Sequence, residues 1–363
     1  MAPFNTLFRI NNSITGTIMT GAMVVVAFLL FSGNVSTVHA GIVLYGFNCS
    51  ATGFNSAVSS GSNHIASGNY SSISGGFENE ARAFGTFIGA GGFNRAQGIG
   101  SFVGAGVSNN AIGGGSFVGA GVSNNAIGTG SFVGAGSNNT ATGVYSYIGG
   151  GENNEASGST STIGGGEDNV AAGLDSTVSG GFDNEAGSER STIGGGGRNV
   201  AASFDSTVSG GFFNMAAGAG STVSGGVNNN ATGAYSFIGG GDNNQATGEN
   251  SIAMGKNANA EKDRSLVINL GNNEVSSKKD GEFLVNSDSF TLQIGKKKVT
   301  INKKNINKFK KLLKRGNRRL EEIPNQHEIN KQVKEQQVII EELHKQIEKQ
   351  QKQIDELMNN FFA

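Results

Sequence analysis

The chain has no tryptophan, one cysteine and two prolines in 363 residues, and only 15% of its residues are charged. A single cysteine, Cys49, excludes an internal disulfide framework and any zinc site built on cysteines, since both need at least two. Hydrophobic residues make up 36% of the chain, against ~45–50% in an ordinary globular domain, so one large conventional core is not expected. Catalytic signals are scarce. His39, His64, His327 and His344 are scattered, they converge on no nucleophile, base or metal set, and they read as surface residues. No catalytic residue, metal ligand or cofactor is assigned, and an enzyme is not expected.

What is abundant is glycine, with 59 residues, more than twice the usual ~7%. No strict G-X-Y triplet runs through it, which excludes collagen. Matches to G-x-G-x-x-G arise by chance in such a chain and lack the strand-turn-helix context that gives them meaning. Net charge is −1, but Gly41 to Ala260 carries 13 acids and 5 bases, a balance of −8, whereas Glu261 to Ala363 carries 15 acids and 21 bases, a balance of +6. That division points to two differently built segments and away from a uniformly basic nucleic-acid binder.

Arg9 precedes an uncharged run from Ile10 to His39 that ends in Val38-His39-Ala40. One positive charge, a short apolar stretch and small residues have the form of a secretory signal over residues 1–40 with cleavage after Ala40, giving a secreted or cell-surface protein. The alternative is an uncleaved anchor over Ile14 to Phe31, at the lower edge of spanning length. Sequons at Asn48, Asn69, Asn138 and Asn230 would accept glycans in a eukaryotic secretory route.

A repeat sets the architecture. From Ser56, steps of fifteen land on Ser71, Thr86, Ser101 and onward to Ser251 without a slip, and Val or Ile stands two residues after each until Ala253. Glycine follows five residues after each serine from Gly61 to Gly241, as an unbroken column that a positive-φ corner or a tight approach demands. The column Asn79, Asn94, Asn109 and so on to Asn259 reads as a second corner, with asparagine itself in the left-handed region. A corner every seven or eight residues leaves no room for a helix. The pattern predicts a mainly β fold: a parallel β-solenoid of about 14 fifteen-residue coils over residues 41–260, stacked at ~4.8 Å. It would have aliphatic, alanine and asparagine ladders, with the asparagine slot of the first coil held by Cys49. That thiol either fills its corner or pairs between protomers. Acidic turns such as Glu167-Asp168 and Asp183 are assigned to solvated corners, because the nine-residue calcium-solenoid repeat is missing.

The residue after each serine points outward by strand alternation. It reads Phe87, Phe102, Phe117, Phe132 and Tyr147, then Thr162, Thr177, Thr192, Thr207 and Thr222, then Phe237 and Ile252. The aromatic part is expected to form an exposed strip that meets another chain. The threonine part suggests, as one alternative, a water-ordering, ice-binding face.

Ser-x-[VI]-x-G-G-x-x-N-x-A-x-G resembles the head repeat of trimeric autotransporter adhesins, the YadA-like parallel β-roll, with Ser251-Ile252-Ala253-Met254-Gly255-Lys256-Asn257-Ala258 as the nearest match. The resemblance covers Gly41 to Ala260. It implies three intertwined chains, a surface location and adhesion to an extracellular protein or glycan. The chain departs from that family in its fifteen-residue coil, where fourteen is usual, and in ending on a helix without the alternating strands of a β-barrel anchor. A structural spacer with no ligand is the other alternative.

Beyond the repeat, Ser265 to Leu270, Phe283 to Asn286, Phe290 to Ile294 and Val299 to Asn302 read as short strands, forming a small β cap or neck over residues 261–302. Residues 303–323 read as a basic amphipathic helix: Lys296 to Arg319 carries twelve basic residues and no acid, while Ile306, Phe309, Leu312, Leu313, Leu320 and Ile323 give an apolar stripe. The charge could grip phosphate, sulfated glycan or an anionic surface, but a solvated helix face is the preferred reading. After Pro324, Val333, Ile340, Ile347 and Ile354 recur every seven residues, with Ile329, Gln336, Leu343, Gln350 and Leu357 on the second seam line. That spacing predicts a coiled coil over residues 325–358 and a homo-oligomer. Isoleucine followed by leucine on the seam would by itself favour a dimer; the trimer comes from the resemblance.

Overall fold

A serine, a variable residue and a Val or Ile, followed within three residues by a glycine corner, can extend only briefly before the chain turns. In the computed structural model, which describes residues 41–321 and 326–362, such a segment is a two-residue strand in most coils, longer at Ala57–Ser62, Phe237–Asp242 and Ile252–Lys256, and pairs in parallel with its equivalent one coil on. Phe87 pairs with Phe102, Phe102 with Phe117 and Phe117 with Phe132, while Ile88, Val103, Val118 and Val133 run beside them. Among the described residues this first sheet has 17 strands, from Ile42–Phe47 to Phe283–Asn286. A second sheet of 16 strands, from Ser50–Ala51 to Val275–Ser276, holds the alanine column. The third side is a row of single parallel bridges running from Ser62↔Phe77 to Val227↔Asp242. The result is a parallel β-solenoid of about 16 coils, roughly 75 Å long at the spacing of paired strands.

The interior is built entirely from the repeat columns. Val58, Ile73, Ile88 and their successors to Ile238 are fully buried, as are the alanines from Ala66 to Ala246. The repeat serines and asparagines are buried as well. One chain therefore closes its own core, and a partner is not required to cover the aliphatic ladder. The glycine column has both properties expected of it. Gly106 sits at φ +99°, and a Cβ there would lie 2.1 Å from the Gly121 carbonyl oxygen and 2.6 Å from Asn109 Nδ2.

The asparagines differ from expectation. The left-handed residue is the one before each asparagine from Asn79 to Asn244, such as Glu78, Phe93, Ser108 and Asn138, with φ between 51° and 58°. A further left-handed corner recurs at positions such as Tyr70, Tyr145, Asp175 and Arg190. The asparagine side chain instead enters the core, where its amide satisfies backbone groups at buried and half-buried positions. Asn109 Nδ2 donates to the carbonyls of Ala105 (3.0 Å) and Gly121 (2.9 Å) and to Asn94 Oδ1 (3.2 Å), and its own Oδ1 accepts from the backbone N–H of Asn124 at 3.1 Å. The ladder runs through twelve asparagines from Asn79 to Asn244, where Oδ1 accepts from the Ala258 N–H at 2.9 Å.

The parallel ladder does not stop at Ala260. After an irregularity between Ile238 and Gly241, Ile252 pairs with Leu266 fourteen residues on, and Leu266 with Phe283 seventeen residues on. Ser265-Leu266-Val267 repeats the Ser-x-Val signature, and Ser265 Oγ donates to the Lys262 carbonyl at 2.6 Å as Ser56 Oγ does to Gly53 at 2.8 Å. Coil chemistry thus persists after the regular glycine spacing has gone. Asn269 Nδ2 bonds the carbonyls of Lys256, Asn257 and Asn273 there.

The chain divides into a unit ending at Asn286 and a second from Ser287. The second contains an antiparallel hairpin, Ser289–Ile294 with Lys297–Asn302, then α1 (Ile306–Glu321) and α2 (Gln326–Phe362). The expected leader, residues 1–40, and Pro324 lie outside the described residues. Among the described residues no helix is long and apolar enough to cross a membrane.

Candidate functional site

The outward position of the first sheet carries the aromatic residues, and strand register decides their geometry. Ring centroids of Phe87, Phe102, Phe117, Phe132 and Tyr147 follow one another at 5.1, 4.7, 4.8 and 4.9 Å, with interplanar angles of 15°, 0°, 3° and 6°. The stacking distance is the strand spacing itself, so each ring covers the next and the four phenylalanines are half-buried rather than exposed; Tyr147 at the end of the stack is 42% exposed. The rings also bear on the chain beneath them. A Cβ on Gly104, Gly119 or Gly134 would lie 3.4 Å from Cε1 of the Phe102, Phe117 or Phe132 ring two residues earlier. Glycine fills this slot beside every aromatic of the column (Gly89, Gly104, Gly119, Gly134, Gly149, Gly239) and also beside Thr162 and Thr192 (Gly164, Gly194), whereas serine enters it beside Thr177, Thr207 and Thr222. The tightest approach at this slot is the next coil's backbone: a Cβ on Gly104 would lie 2.3 Å from the Gly119 carbonyl oxygen.

The stack occupies the centre of a wider apolar zone. No Asp, Glu, Lys or Arg occurs between Arg95 and Glu152. The same coils expose Ile99, Val107, Ile112, Val122, Ile127, Val144 and Tyr145 on their other sides, with Ile99 and Tyr145 at 67% and 65%. Upstream, Phe54, Tyr70 and Phe84 meet edge to face at 5.5 and 5.3 Å, and Phe77 meets Phe93 at 5.4 Å. Downstream, Thr162, Thr177, Thr192, Thr207 and Thr222 continue the ladder in register and half-buried. The acidic corners lie beside them. Asp205 accepts from Arg190 at 2.7 Å, Asp183 pairs with Arg198 at 3.2 Å, and Arg190 also lies 4.0 Å over the Phe204 ring.

His64 is a correction to the surface reading of the histidines. It is fully buried in the asparagine slot of its coil, where Nδ1 accepts the Asn79 N–H at 3.2 Å. Desolvation pushes its imidazole below the ordinary value, an effect the Gly76 and Ser60 carbonyls partly offset. Cys49, one coil earlier, is half-buried, with Sγ 3.4 Å from the Phe47 carbonyl and 3.6 Å from that of Gly61, both in its own chain. His344 is exposed on α2, His39 lies outside the described residues, and so does the side chain of His327. An open hollow of about 460 Å³ beside His64 is lined by Asn63, Glu78, Glu80, Phe93 and Arg95 among others. There Glu80 is held below the usual carboxylate range by its hydrogen bond from Arg82 at 2.9 Å. Among the described residues no three His, Cys, Asp or Glu side chains converge as a metal site.

On α2 the seam residues Val333, Ile340, Leu343 and Ile347 are 48%, 52%, 52% and 60% exposed. Ile354 and Leu357 lie outside the residues whose side chains are described. The structure therefore presents two sets of candidate contact residues, one on each unit. No protein-family model matches this chain, and no curated protein sequence matches it significantly.

Proposed function

We propose that this protein is a non-enzymatic, fibrous, adhesin-like protein of the cell surface or extracellular space. Its solenoid head engages an extracellular protein or glycan, and a coiled coil formed by α2 holds the oligomer, with a trimer favoured. The observation that carries the reading is the uncharged zone between Arg95 and Glu152, where a five-ring stack lies in register on one sheet face and apolar side chains stand out on the other sides. Soluble monomers rarely leave so much contiguous apolar surface open. Repetition along the rod makes each contact multivalent, so modest single contacts add to useful avidity. The open seam of α2 supports self-association through the same physics.

The test is binding to glycan arrays and matrix proteins by the full chain and by a variant lacking Gly91 to Gly150. That deletion removes four whole coils and rejoins the repeat in register. Loss of binding with the solenoid's circular dichroism retained is the expected result. Unchanged binding would refute the proposed zone, and no ligand for the full chain would leave the molecule as a spacer. The threonine ladder has only one such column, beside a slot that alternates between glycine and serine, so no thermal hysteresis is expected of the purified protein.

A further inference from the structure

The second unit contains two amphipathic elements in succession. In the hairpin, Phe290 faces Ile301 and Leu292 faces Val299 across the strands, while the opposite face pairs Thr291 with Thr300, their hydroxyls 2.7 Å apart, and Gln293 with Lys298. Phe290, Leu292 and Val299 are 44%, 52% and 54% exposed. The turn into α1 is tied down by Asn305: its Oδ1 accepts from the Asn302 N–H at 2.8 Å, and its Nδ2 donates to the Thr300 carbonyl at 2.7 Å. On α1, Leu312 and Leu313 are 56% and 53% exposed. Helical spacing places Lys311 and Lys314 on the side away from them, with Lys308 and Arg315 on the flank beside Leu312.

Charge decides what such a surface fits. Twelve basic residues and no acid lie between Lys296 and Arg319. Copies of the same segment would repel one another there, which disfavours a neck made by packing these faces together. A sulfated polysaccharide would satisfy the charge but leave the leucines and the hairpin's apolar face in water. A basic helix with leucines on its other face is the pattern of a segment that lies in a membrane interface. We propose that α1, with the hairpin before it, is a peripheral docking surface for an anionic phospholipid bilayer. The lysines meet headgroup phosphates, and Leu312 and Leu313 enter the headgroup–acyl boundary. This inference is independent of what the head binds.

The experiment is co-sedimentation of the full chain with vesicles of phosphatidylcholine alone and of phosphatidylcholine with 30% phosphatidylserine, together with retention on heparin. The uncharged run from Ile10 to His39 would contribute to both vesicle types alike, so the readout is the anionic-over-neutral ratio. A Lys308→Gln, Lys311→Gln, Lys314→Gln, Arg315→Gln variant should lower that ratio about 100-fold or more, since each basic side chain near an anionic surface contributes about fivefold. A Leu312→Ser, Leu313→Ser variant should lose at least about tenfold in vesicle binding while keeping its heparin retention. Equal partition onto both vesicle types would overturn the proposal. So would a leucine variant that binds anionic vesicles as the parent does, which would assign the charge to polyanions in general. A leucine variant of unchanged vesicle affinity but reduced oligomer mass would assign the face to self-association and equally overturn it.

Discussion

Replacing Asn154 by leucine tests whether the asparagine ladder holds the solenoid together. Asn154 Nδ2 donates to Asn139 Oδ1 (3.0 Å), the Gly150 carbonyl (3.1 Å) and the Gly166 carbonyl (2.9 Å). Its Oδ1 accepts from the Asn169 N–H and from Asn169 Nδ2, both at 3.1 Å. Some of these partners have others: Asn169 Nδ2 keeps the Gly165 and Gly181 carbonyls, Asn139 Oδ1 keeps the Asn154 N–H, and the Gly166 carbonyl keeps the Glu152 N–H. The Asn169 N–H loses its acceptor and the Gly150 carbonyl loses its amide donor. At about 1–3 kcal/mol for each orphaned buried group, and with imperfect packing of the leucine, the cost is about 3–5 kcal/mol. Leucine keeps asparagine's branched heavy-atom outline but carries two larger methyl groups, so it leaves no room for a substituting water. Urea unfolding followed by circular dichroism measures the loss. Amide exchange localises it, because a solenoid's stability is a sum of neighbour terms: Asn169 should exchange much faster while Asn214, three coils further on, changes little. A loss below about 1 kcal/mol, or equal acceleration at both amides, would refute the reasoning.

His64→Asn should stabilise the first coils and remove a pH dependence. The folded imidazole resists protonation while the unfolded one takes a proton near pH 6.5, so wild-type stability falls as pH drops through that value and levels off below the folded-state value; protonated Nδ1 would also face the Asn79 N–H it now accepts. Melts from pH 7.5 to 5 should show this slope in the wild type and its absence in the variant. Gly106→Ala should cost more than about 3 kcal/mol, since φ is +99° and the new Cβ would lie 2.1 Å from the Gly121 oxygen; a thermal shift within error of zero would contradict the corner geometry. Replacing Phe102, Phe117 and Phe132 together by serine should leave a folded solenoid, its chains still linked through α2, but weaken ligand binding, each ring forfeiting about 1–2 kcal/mol of remaining contact. A loss of oligomer mass in light scattering would instead assign the stack to contact between chains.

The repeat, the coil length and most of the ladders follow from the order of residues alone. A fifteen-residue period of serine, branched aliphatic and glycine admits few backbones, and identical residues one coil apart must stack once the chain closes on itself. Gly106 and its column were legible because positive φ and close approach both select glycine. The aromatic stack was legible as a column, and its flat stacking at the strand spacing came from the register of the paired coils. Direction and partner were settled by packing in three dimensions. A corner asparagine can take the left-handed region or fill the core, and the outcome depended on which buried backbone groups lacked partners, something no single repeat reveals. His64 passed for a surface residue because one histidine in a polar column carries no periodic signal of its own; its burial comes from the coils above and below it. The ladder continued to Asn286 because Ser265 and Val267 still met their neighbours' requirements after the glycine spacing had lapsed. Pairing in three dimensions tolerates steps of fourteen and seventeen residues that a fixed period does not.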